Sequence, residues 1–356
     1  MPANILLLRH PLSHIGKYSG YENFVDHLQD DTLHFTDHHR TRAVRRTDIK
    51  RRFFLRRADK KLVNKPGLYY NAFSYMAEME AFKIANAQNV KLIHNTFLED
   101  NHGFLGNRKT AGGFKLVATA HQPYSWWKYT HKPTTVLDQL DALFVLSNAE
   151  AACFETALPG RVHVVRHGVS TDFFTLSKPV TQRKKRILFV GNWLRDTAFF
   201  AEAIETLLKI DASIAVDIVY RSSADVNTDP VFRLCKYQQV TMHQHISNEA
   251  LRDLYNDARL LFLPLTDATA NNAILEAAAC GVPVVTTNLP SLKEYTNSHY
   301  AYYYNGMKDC VEYIIQTIDD EARLSFMSRE ARVFMEQQFA APLIAKQHIA
   351  LYKSFL

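Results

Sequence analysis

The run NNAILEAAACGVPVVTTNLPSLKEY, residues 271 to 295, decides the fold. Its first half reads as a short helix carrying a single acid, Glu276. A Cys-Gly turn follows, then the strand Val-Pro-Val-Val and an Asn-Leu-Pro-Ser loop. Just upstream lies another apolar strand, LLFLPL (260 to 265), and then Asp267. Strand, loop, helix, turn, strand is half of a nucleotide-binding α/β domain. In open parallel sheets ligands bind outside the carboxyl ends of the strands, which is where the loop 266 to 273 would lie. The start of the helix there offers unpaired N–H groups and a positive dipole end to an anion such as a diphosphate.

Working outward, short apolar runs recur at helix-length intervals. A first series is ILLL (5 to 8), VKLI (90 to 93), KLVAT (115 to 119), ALFVL (142 to 146) and VHVV (162 to 165). A second is RILFV (186 to 190), VDIV (216 to 219), QVTM (239 to 242), LLFLP (260 to 264) and VPVVTT (282 to 287). Continuous apolar runs of this kind predict parallel strands buried on both faces. Two series joined by the polar link LSKPVTQRKKR (176 to 186) predict two doubly wound domains. The expected boundary is near residue 180, giving domains 1–180 and 181–337, with a terminal helix at about 338–356 returning to the first.

At 356 residues the chain is long enough for both domains. No run approaches the roughly 18 apolar residues of a membrane span. The start MPANILLLRHPL is too briefly apolar for a signal peptide and reads as a first buried strand. Cys153, Cys235, Cys280 and Cys310 are scattered, without zinc spacing, so a cytoplasmic setting is expected. The basic charge is local. Residues 40 to 61, RTRAVRRTDIKRRFFLRRADKK, hold eleven Arg or Lys against two Asp, so this segment carries +9 and the rest of the chain −3. An amphipathic basic segment suits an anionic membrane surface. A solvated helical face explains it equally well, and no nucleic-acid motif accompanies it.

The motifs resemble those of retaining glycosyltransferases of the GT-B fold, family 4 (group 1) in particular. That family carries two Glu eight positions apart, then a small-residue run, Cys-Gly and Pro-Val. Here the second acid is Glu276, AAACGVPVV follows it, and Asn272 stands four residues before it. The first acid is replaced by Ala268, with Asp267 one residue earlier. RILFVGNWLRD (186 to 196), HISNEALRDLYNDARLLFLPL (245 to 265) and VVRHGVSTDFF (164 to 174) resemble further segments of the family, and LIHNTF and VATAHQP do so more loosely. The resemblance implies two Rossmann-like domains facing a cleft. It implies a nucleotide-sugar donor on the second domain and a glycan or lipid-linked acceptor on the first. It also implies transfer with retention, in which the departing diphosphate takes the acceptor proton.

Sugar transfer from a nucleotide makes a diphosphate leaving group whose charge must be stabilised. The sequence shows no DxD-type metal site, so no metal and no cofactor is expected. Arg195 is the candidate diphosphate ligand, because its fork matches two phosphate oxygens. It is displaced from the family pattern, whose Arg position is Asn192 here and whose Lys position falls near Thr197. Pairing of Arg195 with Asp196 or a nearby acid is the structural alternative. Glu276 can accept both hydroxyls of a ribose, or simply serve the helix dipole. Asp267, Asn271 and Asn272 could bond sugar hydroxyls or serve only as turn residues. Tyr220, Arg221 and His245, at strand ends, could face the base or phosphates.

In the first domain GKYSGYE (16 to 22) follows strand one. Gly20 would admit a phosphate, and Ser19 and Tyr21 would face the acceptor. The resemblance points His121 at the donor sugar, with His94 a weaker second. Trp126 and Trp127 could stack on sugar, although packing is their commoner use. Two rivals use a related fold: a non-catalytic sugar-nucleotide or glycan-binding subunit, favoured by Ala268, and a sugar-nucleotide epimerase.

Overall fold

The structure is a computed structural model that describes residues 2–10, 17–39, 72–99, 103–129, 134–220 and 228–356. The basic segment 40 to 61 and Arg221 lie outside the described residues. Among the described residues no helix is long and apolar enough to cross a membrane.

The chain divides into two units. The first comprises Met1–Lys17, Tyr21–His167 and Pro342–Leu356, and the second Tyr18–Gly20 and Gly168–Ala341. Each holds one six-stranded sheet in which every neighbouring pair is parallel. The expectation of two doubly wound α/β domains is borne out.

The first sheet contains β1 (Ala3–Arg9), β2 (Leu33–His39), β3 (Leu92–Asn95), β4 (Lys115–Thr119), β5 (Ala142–Val145) and β6 (Val162–Val164), in the order β2-β1-β3-β4-β5-β6. Side chains alternate between its faces, as a strand period of two requires. Leu6 and Leu8 pack with Ala77, Ala81 and Ile93 on one face. Ile5 and Leu7 pack with Val117, Phe144, Ile344 and Tyr352 on the other, so the last helix, Ala341–Ser354, closes the first core.

The second sheet contains β7 (Arg186–Val190), β8 (Ala215–Val219), β9 (Val240–His243), β10 (Leu260–Leu263), β11 (Val284–Thr287) and β12 (Ala301–Tyr304), ordered β12-β11-β10-β7-β8-β9. Helix Thr197–Ile210 starts at Asp196, whose side chain accepts from Phe199 N. It buries Phe200, Ala201, Ala203, Ile204, Leu207 and Leu208, the stripe expected of a helix on a core. Helix Asn272–Ala279 differs: residues 273 to 279 are all buried. Its carboxyl end is closed by cations. Arg332 Nη1 donates to Ala279 O at 2.8 Å and Arg183 Nη2 to Cys280 O at 2.9 Å, as the negative dipole end favours.

Two expectations change. Val169, Phe174 and Val180 belong to the second core, so the segment read as the end of the first domain packs with the second. Strands β2 and β12 were not expected. Both lie at sheet edges, and their half-polar sequences, LHFTDHH and AYYY, lack the apolar run of a doubly covered strand.

Candidate functional site

In the second sheet β7 and β10 are neighbours, but β8 and β9 continue on one side and β11 and β12 on the other. This reversal is a topological switch point, where the loops leaving two adjacent strands diverge and open a crevice. Here the two loops are stitched together at their bases. Asp196 N donates to Pro264 O at 3.1 Å, Thr266 N donates to Leu194 O at 3.1 Å, and Arg195 and Leu265 form an isolated bridge. Leu194 takes a positive φ of 57° to make the bend.

Arg195 is held by carbonyls. Its Nε donates to Val190 O at 3.0 Å and its Nη1 to Trp193 O at 2.9 Å. Gly191 has φ +89°, and a Cβ there would lie 2.9 Å from Arg195 Nη2, so the guanidinium lies where a side chain would stand. No acid pairs with Arg195 among the described residues. The alternative that it pairs with Asp196 fails, because that carboxylate caps helix Thr197–Ile210 through Phe199 N at 2.9 Å. Burial lowers the pKa of Arg195 to about 10, while Tyr255 and Glu276 favour its charge. A cation that forms no ion pair among the described residues, backed by carbonyls, is prepared for an anion.

Glu276 is 6% exposed. Ser19 Oγ donates to its Oε1, and Tyr255 Oη donates to its Oε2 at 2.8 Å. Burial raises the Glu276 pKa to about 7, against the opposing hydrogen bonds of Ser19 and Tyr255 and the charge of Arg195. Each carboxylate oxygen has about two acceptor positions, so both keep capacity for a further donor.

Ser19 reaches this carboxylate because residues 18 to 20 form a short antiparallel ladder with residues 168 to 170. Gly20 N donates to Gly168 O at 2.8 Å and Ser170 N to Tyr18 O at 2.7 Å. Tyr18 stacks on Phe173 at 3.6 Å. Ser19 was expected on the acceptor side; it is a second-unit residue, because backbone pairing holds it there. Gly20 has φ +61°, and a Cβ would meet Asn272 Oδ1 at 2.1 Å, so only glycine fits between the ladder and the helix start.

The remaining donor candidates divide. Asn271 is the N-cap of helix Asn272–Ala279, accepting from Ile274 N, and Asn272 lies against Gly20. Asp267 turns back on Ala268 N at 2.8 Å, and the Ala268 carbonyl accepts from Ser291 Oγ. Asn192 is half-buried in the β7 loop. Tyr220 is buried and its hydroxyl donates to Asp229. His245 is exposed and adopts φ +53°.

In the first unit, the expected site residues are mostly core. His94 is fully buried between Tyr352 Oη at 2.6 Å and Thr119 Oγ1 at 2.8 Å. Trp126 and Trp127 are buried in the core, so neither offers a stacking face, and packing wins over sugar contact. His121 Nε2 meets the Thr96 carbonyl at 2.7 Å, so that nitrogen carries the proton. Its Nδ1 then accepts from His167 Nε2 at 3.0 Å. Burial lowers its pKa to about 4, so the ring is neutral. Both nitrogens are thus engaged within the unit, whereas the resemblance implied one turned to a sugar. Tyr21 stacks on His121 at 4.4 Å.

Sequence reading missed Tyr255. It sits in a helix whose sequence marks it only as a buried aromatic, and nothing there announces that its hydroxyl reaches an acid 21 positions on.

Residues 184–320 match the family model described as Glycosyl transferases group 1, a span that contains Arg195, Tyr255 and Glu276. Solved structures share the fold across the chain. The Anabaena protein HepE, in complex with UDP and glucose, aligns with TM-score 0.70 at 13% identity over 99% of this chain and 100% of that one. Sucrose-phosphate synthase from Thermosynechococcus elongatus gives 0.69 and 16%, covering 99% and 98%. The GtfA/B complex gives 0.59 and 12% over 78% of this chain, which spans 60% of that chain's length. A sequence comparison with curated proteins finds no match. The chain has the GT-B architecture, and its second half, residues 184–320, resembles Glycosyl transferases group 1.

Proposed function

We propose that the protein is a glycosyltransferase that moves a sugar from a nucleotide-sugar donor to a glycan or lipid-linked acceptor, with retention and without a metal ion. One observation carries the reading. The switch point of the second sheet brings together Arg195, a cation without an acidic partner among the described residues, and Glu276, a buried carboxylate with acceptor capacity left. A nucleoside diphosphate offers the complements of both: anionic phosphates and a ribose diol. HepE, of the same fold, binds UDP and glucose, which supports a donor of this class.

In the proposed reaction an acceptor hydroxyl oxygen forms a bond to the anomeric carbon. The bond from that carbon to the diphosphate oxygen breaks, and its electron pair leaves with the diphosphate. The acceptor proton passes to the departing diphosphate. Charge on the phosphates grows along this path. Arg195 and the N-terminus of helix Asn272–Ala279 are the groups of this chain that meet it. His121 is neutral with both ring nitrogens engaged, which fits a scheme that needs no protein base. The basic segment 40 to 61 supports an acidic or lipid-linked acceptor at the cytoplasmic face of a membrane.

Ala268, in place of the family's first acid, favours a second reading, a sugar-nucleotide-binding subunit without turnover. Incubation with UDP-, GDP-, ADP-, CMP- and TDP-sugars, with glycan and lipid acceptors in EDTA, separates the readings. A glycosylated acceptor supports the transferase. Binding without turnover supports the subunit, and donor conversion without acceptor supports an epimerase. Turnover that stops in EDTA overturns the metal-free mechanism.

A further inference from the structure

We propose that Tyr255 is a positioning residue of the donor site: its hydroxyl fixes the orientation in which Glu276 presents its remaining lone pairs to the ribose. The proposal rests on the donor-site reading above and extends it to a residue that would not touch the donor. Tyr255 comes from helix Asn248–Asp257 and is fully buried, with its ring edge-on to Phe174 at 5.9 Å. Its hydroxyl donates to Glu276 Oε2 at 2.8 Å, while Ser19 donates to Oε1. One donor on each oxygen fixes the plane of the carboxylate, which otherwise rotates about a broad terminal torsion. Rigid presentation matters because a ribose diol needs two acceptors at fixed spacing, and ordering a free side chain on binding costs affinity.

The groups facing Glu276 give this arrangement a chemical readout. Arg195 lies on the loop after β7, Tyr255 on its own helix, Ser19 on the 18-to-20 ladder and Cys280 at the end of the Glu276 helix. Cys280 stays uncharged, since burial pushes its thiol up to about 12. The Tyr255 phenol is pushed far upward by burial, so it remains a donor at every working pH. Removing that donor destabilises the ionised carboxylate and shifts it toward its protonated form. A core tyrosine whose hydroxyl did not hold the carboxylate would lack this effect.

The experiment compares wild type, Tyr255→Phe and Phe174→Leu. Binding of UDP, GDP, ADP and TDP is measured by calorimetry at several pH values. Protonation of Glu276 is followed by the infrared band of the neutral carboxyl, assigned with Glu276→Gln. Tyr255→Phe is expected to weaken the tightest diphosphate by about 2- to 10-fold near pH 7, the cost of ordering on binding a carboxylate that the tyrosine no longer holds. Its carboxyl midpoint should move above that of the wild type, and raising the pH should restore part of the affinity. Phe174→Leu disturbs the packing of the same ring and should leave the midpoint in place. Wild-type binding and a carboxyl midpoint that Tyr255→Phe leaves unchanged would overturn this proposal alone, as would equal shifts in both variants. Wild-type protein that binds none of the four diphosphates would overturn the donor-site reading and this proposal with it.

Discussion

Ser19 and Glu276 stand 257 positions apart, yet the serine hydroxyl donates to the glutamate carboxylate inside the second unit. The contact exists because backbone pairing with residues 168 to 170 holds the tripeptide Tyr18–Gly20 in place. It joins the first loop of the chain to the acid most directly implied by the sequence motif. A bound ribose must share this carboxylate with Ser19 or displace it.

Burial of Glu276 has a consequence for stability without ligand. The ordinary carboxyl value is 4.5, and burial raises it to about 7 in the folded chain. The folded state therefore holds this proton more tightly than the unfolded state. Its contribution is fully present below about pH 4.5 and is lost as pH rises through about 7. The loss is on the order of 3 kcal/mol. Urea unfolding of wild type and Glu276→Gln across this window should show the difference between them growing with pH. A constant difference would mean the carboxylate is not shifted.

Arg195→Ala should lower turnover more than donor affinity, because the phosphate charge it meets increases towards the transition state. Gly191→Ala should do the same more weakly. It combines a φ of +89° with a Cβ 2.9 Å from Arg195 Nη2. Separate measurement of kcat and KM for both variants checks this. An equal loss in KM alone would assign Arg195 to ground-state binding.

Acid should act on the first unit in the opposite sense. Burial lowers His121 and His348 from 6.5 to about 4, and it lowers His94 well below its ordinary value. Stability contributed by their neutral rings is present above pH 6.5 and is lost as pH falls through about 4. Trp126 and Trp127 report on the first core, and Trp193, exposed on the loop after β7, reports on the second unit. Single-tryptophan variants should show the first unit's signal changing first on acidification. Simultaneous change, or the second unit leading, would contradict the assignment.

Neutralising Arg51, Arg52, Arg56 and Arg57 should release the protein from acidic vesicles in a sedimentation assay. Each basic residue near such a surface contributes about 1 kcal/mol. Added salt should mimic the change. Wild-type protein that ignores acidic vesicles at low salt would end the membrane proposal.

The legibility of this chain follows its physics. Ten strands were readable because burial on both faces demands unbroken apolar runs, as in RILFV and LLFLP. The edge strands β2 and β12 carry no such demand and went unseen. Glu276 was legible because a lone acid in an otherwise apolar helix invites explanation. The roles of Ser19 and Tyr255 were not, since each depends on a long-range contact that no local pattern encodes. His94, Trp126 and Trp127 were misplaced because strand-end and aromatic residues look alike in sequence whether they line a site or fill a core.

The central claim is that Arg195 and Glu276 form a metal-free nucleoside-diphosphate site. Calorimetric titration of UDP, GDP, ADP and TDP in EDTA, into wild type, Arg195→Ala and Glu276→Ala, tests it most directly. The account predicts that at least one diphosphate binds the wild type. It also predicts that Glu276→Ala, while still folded, loses about 1.5–3 kcal/mol of that binding, the worth of hydrogen bonds to a charged group. Equal affinity in wild type and Glu276→Ala, or binding that appears only with added divalent metal, would contradict it.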